Sequence, residues 1–406
     1  MERRFTIAFA VAAATLLAMP EAGGGACADN ATELPCQLVQ RHGLHFELED
    51  GTPFRPMGSS LYWATPWIFY SEDTAATVRS ALDGIADIGA NVVRIWAFND
   101  GDSSAGIQPR PLEYNEMALR ALDQTVYEIG KRGMRALLVF ANYWSAYGGS
   151  EQYMQWAKAA GENVSKAQDF FTNEKMAFWY RSYVQMLLER NNTVTGRVYK
   201  DDPTIFANEL INEPRYDGDP SGDVLHNWFD KHSWFVKQFD SKHLLTTGVE
   251  GFFGKSTSDI ASRANPGKTS SGNDFVRNHR ELVHIDFAVH HVWVDHWLDS
   301  CDEECKRKFL LMWFVEHTAA ATDLIGKPVL AEEYGKEGTE DRIWYFQRIH
   351  DFIEQGILHG NAAQGGDLVW QYGVREYSAD DGFTVYPDEY MAITMMKAHS
   401  RFMRSV

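Results

Sequence analysis

Eight short runs of β-branched and apolar residues alternate with longer stretches of helical period, and this alternation limits what the chain can fold into. The runs are FRPMGSS from Phe54, NVVRIWA from Asn91, RALLVFAN from Arg135, TIFANELI from Thr204, HLLTTGV from His243, IDFAVHH from Ile285, PVLAEEY from Pro328 and DLVWQY from Asp367. Between them, Ala75, Val78, Leu82, Ile85 and Ile88 recur at helical spacing and are followed by Gly89, a residue that suits a helix C-terminus. Leu119, Leu122, Val126 and Ile129 form a second stripe, and further helices are expected from about Glu304 to Ile325 and from Asp341 to Gln355. Near-continuous apolar strands, each followed by a helix, predict a parallel (β/α)8 barrel in the α/β class. A doubly wound open sheet is the alternative, but its Gly-rich phosphate turn is missing.

No low-complexity linker, charge block or short repeat divides residues 37–406, so a single domain is expected. The N-terminus has Arg3 and Arg4, an apolar run from Phe5 to Leu17 and then small residues. This is the layout of a secretory signal, too short for a comfortable membrane span. The expected division is a signal over residues 1–28 and a catalytic barrel over 29–406, in a secreted protein. In an oxidising compartment the four cysteines invite pairing of Cys27 with Cys36 and of Cys301 with Cys305. Zinc held by Cys301 and Cys305 with His291 and His296 is the competing reading, although the spacing fits no standard site.

The 56 acidic residues against 38 basic give a formal charge of -18, which repels nucleic acid and anionic lipid. A neutral partner fits better. Aromatic residues make up 13% of the 406 residues, which suits stacking on sugar rings as well as an aromatic-rich core. The longest interval, roughly Asn142 to Asp202, would enlarge the rim of a barrel. In it Trp144 is a candidate for a sugar-binding wall, whereas Tyr153 and Trp156 are expected only to staple the insertion to the barrel.

Catalytic groups of such barrels sit at the C-terminal ends of the strands. The fourth run ends in Asn212, Glu213 and Pro214; the seventh ends in Glu332 and Glu333. The second carries Arg94 and Trp96, the sixth ends in His290, His291 and Trp293, and the eighth carries Trp370. Two carboxylates facing one mouth from separate strands are what glycoside hydrolysis requires. Strict alternation along a strand would let only one of Glu332 and Glu333 face that mouth; Glu333 is the choice, with Glu332 in an ion pair or hydrogen bond behind it. Glu209, inside its strand, is expected to be a buried partner to a cation. Pro214 is expected to hold Glu213 in extended geometry.

From about Leu38 to Phe402 the sequence resembles glycoside hydrolase family 5, and within it the endo-β-1,4-mannanases. The resemblance rests on MGSSLYW, NVVRIWAFND, NYWSAYGG with QYMQWA, ELINEPR, GVEGFFG, NDFVRNH, IDFAVHHVWVDHW, PVLAEEYG and LVWQY. It implies a retaining double displacement on β-mannan or mannooligosaccharides, with Glu213 as acid/base and Glu333 as nucleophile. It further implies that Asn212 bonds the 2-hydroxyl of the sugar, Arg94 holds Glu333 ionised while Glu213 starts protonated, His291 and Trp293 line the same subsite, and Trp370 forms its floor. No metal or organic cofactor is implied, and the enzyme is expected to be a monomer. Ser60 stands where the family has Asn, and Trp293 where it has Tyr. An indole N–H there would donate to the nucleophile but accept nothing. A β-1,4-glucanase on the same barrel and a carbohydrate-binding barrel without turnover are the other readings.

Overall fold

The computed structural model describes residues 34–339, 341–360, 363–377 and 381–406. The expected signal segment lies outside the described residues, as does Cys27, the expected partner of Cys36. The chain opens with a small antiparallel sheet of β1 (Val39–His42), β2 (His45–Leu48) and β3 (Pro53–Phe54). Then come β4 (Met57–Ser60), β5 (Val92–Trp96), β6 (Arg135–Val139), β7 (Ile205–Glu209), β8 (Leu244–Thr246), β9 (Ala288–Val292), β10 (Val329–Tyr334) and β11 (Gln364–Val369).

These eight strands pair in parallel, in the order β8-β7-β6-β5-β4-β11-β10-β9, with helices between them. The two end strands meet through other bonds: Asp286 N–H donates to Leu245 O over 2.8 Å, Thr246 Oγ1 to Phe287 O over 3.0 Å, and His291 N–H to Glu250 O over 3.1 Å. The result is the (β/α)8 barrel expected from the alternation. Boundaries differ at the first and last runs: Phe54 ends the small antiparallel sheet and the barrel strand begins only at Met57, whereas β11 begins at Gln364, ahead of the expected Asp367, and ends at Val369.

Helix Glu72–Ile88 illustrates why the segments fold as they do. Ser71 caps its start by accepting from Thr74 N–H, with Thr74 returning the bond, and Gly89 ends it at φ 89°, where a Cβ is costly. Ala75, Val78, Leu82, Ile85 and Ile88 all face the barrel and are buried. Each large side chain so placed contributes about 1.5–3 kcal/mol of apolar transfer.

The small sheet closes one end of the barrel. Phe46 of β2 packs edge-on against Phe206 and Phe287, at centroid distances of 5.5 and 5.4 Å. Those partners lie near the N-terminal ends of β7 and β9, so the opposite, C-terminal mouth is left for substrate. In the long insertion, Tyr153 is buried and Trp156 packs beside it at 5.1 Å, as stapling residues do. No helix among the described residues is long and apolar enough to cross a membrane.

Candidate active site

A cleft of about 680 Å³ opens at the C-terminal mouth. Of the residues singled out in the sequence, Trp96, Trp144, Asn212, Glu213, Trp293, Glu333 and Trp370 line it. Arg94 and His291 do not: both are fully buried behind the two carboxylates. This corrects the expectation that His291 lines the subsite beside Trp293. Its two ring nitrogens are turned to acidic side chains instead.

Glu213 is not on β7 but four residues beyond its end, where Asn142 and Asn212 continue the pairing as an isolated bridge. Its φ is 50°, in the left-handed region, so the extended geometry expected ahead of Pro214 does not occur. A following proline disfavours the right-handed helical region and favours the extended one, and at Glu213 that preference is overridden. Here surrounding bonds hold the strained conformation. Glu213 N–H donates to Gly248 O over 2.8 Å, while the side chain takes Trp144 Nε1–H at 2.6 Å and His291 Nδ1 at 2.7 Å.

Glu333 approaches from the opposite wall and is bonded to Arg94 Nη1. His291 Nδ1 lies 3.4 Å from Glu333 Oε2. Carboxylate oxygens of Glu213 and Glu333 therefore lie within 4.8 Å of one another, with that nitrogen also inside the group. His350, Asp367 and His399 form a second such group. In each group a hydrogen bond of 2.7 or 2.8 Å already joins an imidazole to a carboxylate, which reads as proton sharing rather than as a metal site.

Arg94 organises the floor. It grips Glu209 through Nε and Nη2 at 2.7 and 2.8 Å, and Nη2 also donates to Asn212 Oδ1 at 2.8 Å. Because a guanidinium only donates, the Asn212 oxygen must face it, and the amide nitrogen then donates to Asn142 Oδ1 at 3.0 Å. One amide hydrogen of Asn212 is left for a ligand. Glu209 is thus the buried cation partner read from the sequence.

The alternation rule fails at β10. Ala331 pairs with His290 and Glu333 with His291, so Glu332 is an extra residue in a bulge. The bulge lets both glutamates reach the same imidazole: Glu332 Oε2 is 3.3 Å from His291 Nε2.

Electrostatics follow from burial and this crowding. Burial works against the charge of Arg94, but Glu209, Glu333 and Glu332 more than offset it and raise its pKa well above the ordinary value. Burial also opposes charge on His291, yet Glu333, Glu213 and Glu332 together raise it well above its usual range. Glu209 is pushed up to about 7 by burial against the pull of Arg94, and Glu250 to about 7 by burial and by Glu213. Burial and nearby carboxylates raise Glu333 despite His291 and Arg94. For Glu213, burial is outweighed by the bonds from His291 and Trp144, and its carboxyl is lowered. The protein's own groups therefore shift Glu213 down and Glu333 up, opposite in direction to what an acid that starts protonated and an ionised nucleophile would call for. His291 stands between the two, and the carboxylates around it favour its charged form.

The aromatic surroundings are richer than the sequence suggested. Trp370 stacks on Tyr62 with centroids 5.0 Å apart and planes 5° from parallel, and Tyr62 meets Trp96 at 5.1 Å. Trp293 packs edge-on against Trp370 at 6.0 Å, and no hydrogen bond joins its indole to Glu333 among the described residues. Ser60 is buried, and its hydroxyl has no hydrogen-bond partner among the described residues. Arg215, Glu250, Trp297, Asp381 and Phe383 also line the cleft and were not singled out, and His296, weighed only as a zinc ligand, lines it too. GVEGFFG and the Asp-x-Trp after the sixth run lay within the quoted motifs and carried that signal. Cys301 and Cys305 form a disulfide, which removes the zinc reading.

The family described as GH family 5 beta-mannosidase-like matches residues 36–392. The chain belongs to this family. As a family 5 member it is a glycoside hydrolase. It is 39% identical over 379 residues to mannan endo-1,4-beta-mannosidase 2 of Oryza sativa subsp. japonica, covering 90% of this chain and 83% of that protein. It is 36% identical over 358 residues to mannan endo-1,4-beta-mannosidase 5 of Solanum lycopersicum, covering 86% and 84%. Among solved structures, the endo-1,4-beta-mannanase of Rhizomucor miehei superposes with a TM-score of 0.78 at 27% identity, covering 91% of this chain and 100% of that one. The endo-beta-1,4-mannanase of Thermotoga petrophila gives 0.77 at 26%, covering 88% and 78%.

Proposed function

We propose that this family 5 hydrolase is a secreted endo-acting enzyme that cleaves internal β-1,4 linkages of mannan, glucomannan or galactomannan with retention of configuration. The observation that carries the reading is the pair of Glu213 and Glu333 oxygens within 4.8 Å across an open aromatic cleft. A separation of about 5 Å suits a nucleophile in direct contact with the sugar, whereas about 6.5–9.5 Å would leave room for an intervening water. The substrate class is that named for the plant and microbial relatives. Secretion is supported by the apolar N-terminal run behind Arg3 and Arg4.

Roles follow from position. Glu333 is fixed by Arg94 at the cleft floor, with a side chain only 3% exposed, and attacks the anomeric carbon. Glu213, 11% exposed and reached from the open side under Trp144, protonates the departing oxygen and later takes a proton from water. Its proton is resupplied by His291 Nδ1, 2.7 Å away. Asn212 offers its remaining amide hydrogen to a sugar hydroxyl, and the exposed face of Trp370 provides a stacking floor.

The test is reducing-sugar release by the purified protein from locust bean gum against carboxymethylcellulose. Faster release from cellulose would replace mannan with glucan as the substrate. Binding to mannan without release would leave a carbohydrate-binding barrel. Glu213→Ala and Glu333→Ala should each lower kcat by several orders of magnitude. With an activated mannoside, azide should restore turnover to Glu333→Ala with an α-configured product, if Glu333 is the nucleophile.

A further inference from the structure

Glu332 has no part in a two-carboxylate displacement, yet the bulge in β10 carries it beneath the reacting pair. It is fully buried, with Oε2 3.3 Å from His291 Nε2. Its Oε1 makes no hydrogen bond among the described residues and lies 3.9 Å from Arg94 Nε. Across the ring, His291 Nδ1 is 2.7 Å from Glu213 and 3.4 Å from Glu333. Carboxylates accept hydrogen bonds, so an imidazole that meets Glu332 on one edge and Glu213 on the other satisfies both by carrying hydrogen on both nitrogens. A neutral ring would turn a lone pair on one of them.

The other charged groups near the ring point the same way. Glu213 comes from the loop after β7, Glu250 from the loop after β8, Glu332 and Glu333 from β10, and Glu209 from β7. Arg94 of β5 and Arg215 are the nearby cations, and each is already bound to a carboxylate. His290, the chain neighbour, packs instead on His317 and Phe314.

We infer that Glu332 is a positioning residue that keeps His291 doubly protonated, so that the proton Glu213 delivers to the leaving oxygen is stored beforehand on His291 Nδ1. This rests on the roles given above to Glu213 and Glu333. In the first step the Nδ1 proton passes to Glu213 as Glu213 protonates the glycosidic oxygen. The bond from the anomeric carbon to that oxygen breaks, its electron pair leaves with the oxygen, and Glu333 forms the new bond. In the second step water replaces Glu333 on that carbon and gives its proton to Glu213, and the ring regains the proton it lent.

The test is Glu332→Gln, which keeps the size of the side chain and removes its charge. Without that charge the ring holds its proton less tightly, so the alkaline limb of kcat/KM on mannohexaose should move down by one pH unit or more. Below the optimum kcat/KM should stay within about threefold of the parent. A limb that does not move, whatever the amplitude, overturns the inference. Nitrogen-15 NMR of the histidines gives a readout free of turnover, with His291 assigned by its loss in His291→Gln. Two protonated ring nitrogens at pH 8 in the parent and fewer in Glu332→Gln support it, and a neutral His291 in the parent at pH 7 overturns it. Failure of the mannanase reading would appear separately, as a parent protein that releases no sugar from mannan.

Discussion

The Trp144 indole N–H donates to Glu213 Oε2 over 2.6 Å, although Trp144 itself is 41% exposed. Arg215 lies 5.1 Å above its ring and steadies it. Trp144→Phe keeps the ring and removes the donor. A bond to a charged group contributes about 1.5–3 kcal/mol, so kcat/KM on mannohexaose should fall roughly 10- to 100-fold with an unchanged circular dichroism spectrum. Parent-like kcat/KM would mean that the bond does nothing for the reaction.

Arg94 is the counterion for three buried glutamates. Arg94→Ala leaves Glu332 and Glu333 to His291 alone and takes from Glu209 the cation it is bonded to, and removing one side of a buried pair costs about 3–5 kcal/mol. Urea unfolding at pH 7.5 should show a loss of that size. Since Glu209 already sits near 7 with Arg94 present, the orphaned group takes up a proton readily, and the loss should shrink at pH 5.5. A loss independent of pH would place the damage in packing rather than charge.

His399 ties the C-terminal helix Tyr390–Ser405 to the barrel, with Nδ1 2.7 Å from Glu354 and Nε2 2.8 Å from Asp367. Burial opposes its charge, but Asp367 and Glu354 raise it from 6.5 to about 9. A group raised on folding stabilises fully below its unfolded value and loses that contribution as pH climbs through the folded one. The parent should therefore exceed His399→Gln by on the order of 3 kcal/mol at pH 6, with the gap closing between pH 6.5 and 9. A gap that stays level from pH 6 to 10 would show that the imidazole is neutral in the fold.

The Cys301–Cys305 disulfide closes a loop with a sequence separation of 4, beside the start of helix Glu303–Ala320. Loop closure of that length contributes about 2 kcal/mol in the chain-entropy account. Nearby, Asp295 holds Lys306 and Lys336 at 2.8 and 2.7 Å, which anchors the segment bearing Trp293, His296 and Trp297. The double variant Cys301→Ser with Cys305→Ser should unfold about 2 kcal/mol more easily and raise KM more than it changes kcat. An unchanged KM would separate the disulfide from the cleft.

The barrel was legible because its signals are local and repeated. Eight apolar runs and stripes such as Val78, Leu82 and Ile85 each had to bury one face, and they do. Glu213, Glu333, Arg94 and Glu209 could be placed together because strand ends converge on one mouth. What stayed hidden depends on departures from regular geometry. Strict alternation separated Glu332 from Glu333, and only the β10 bulge, set by pairing with a distant strand, brings them to one imidazole. The positive φ of Glu213 is likewise imposed from outside its own segment, by Gly248 and His291. The proton order depends on how many carboxylates share His291, and sequence order does not reveal that number.

The antiparallel sheet of β1, β2 and β3 acts as a stopper at the far end of the barrel. Because it seals that side with Phe46 against Phe206 and Phe287, the protein has a front and a back. A tether, bead or fused module attached through the back would leave the working face turned outward.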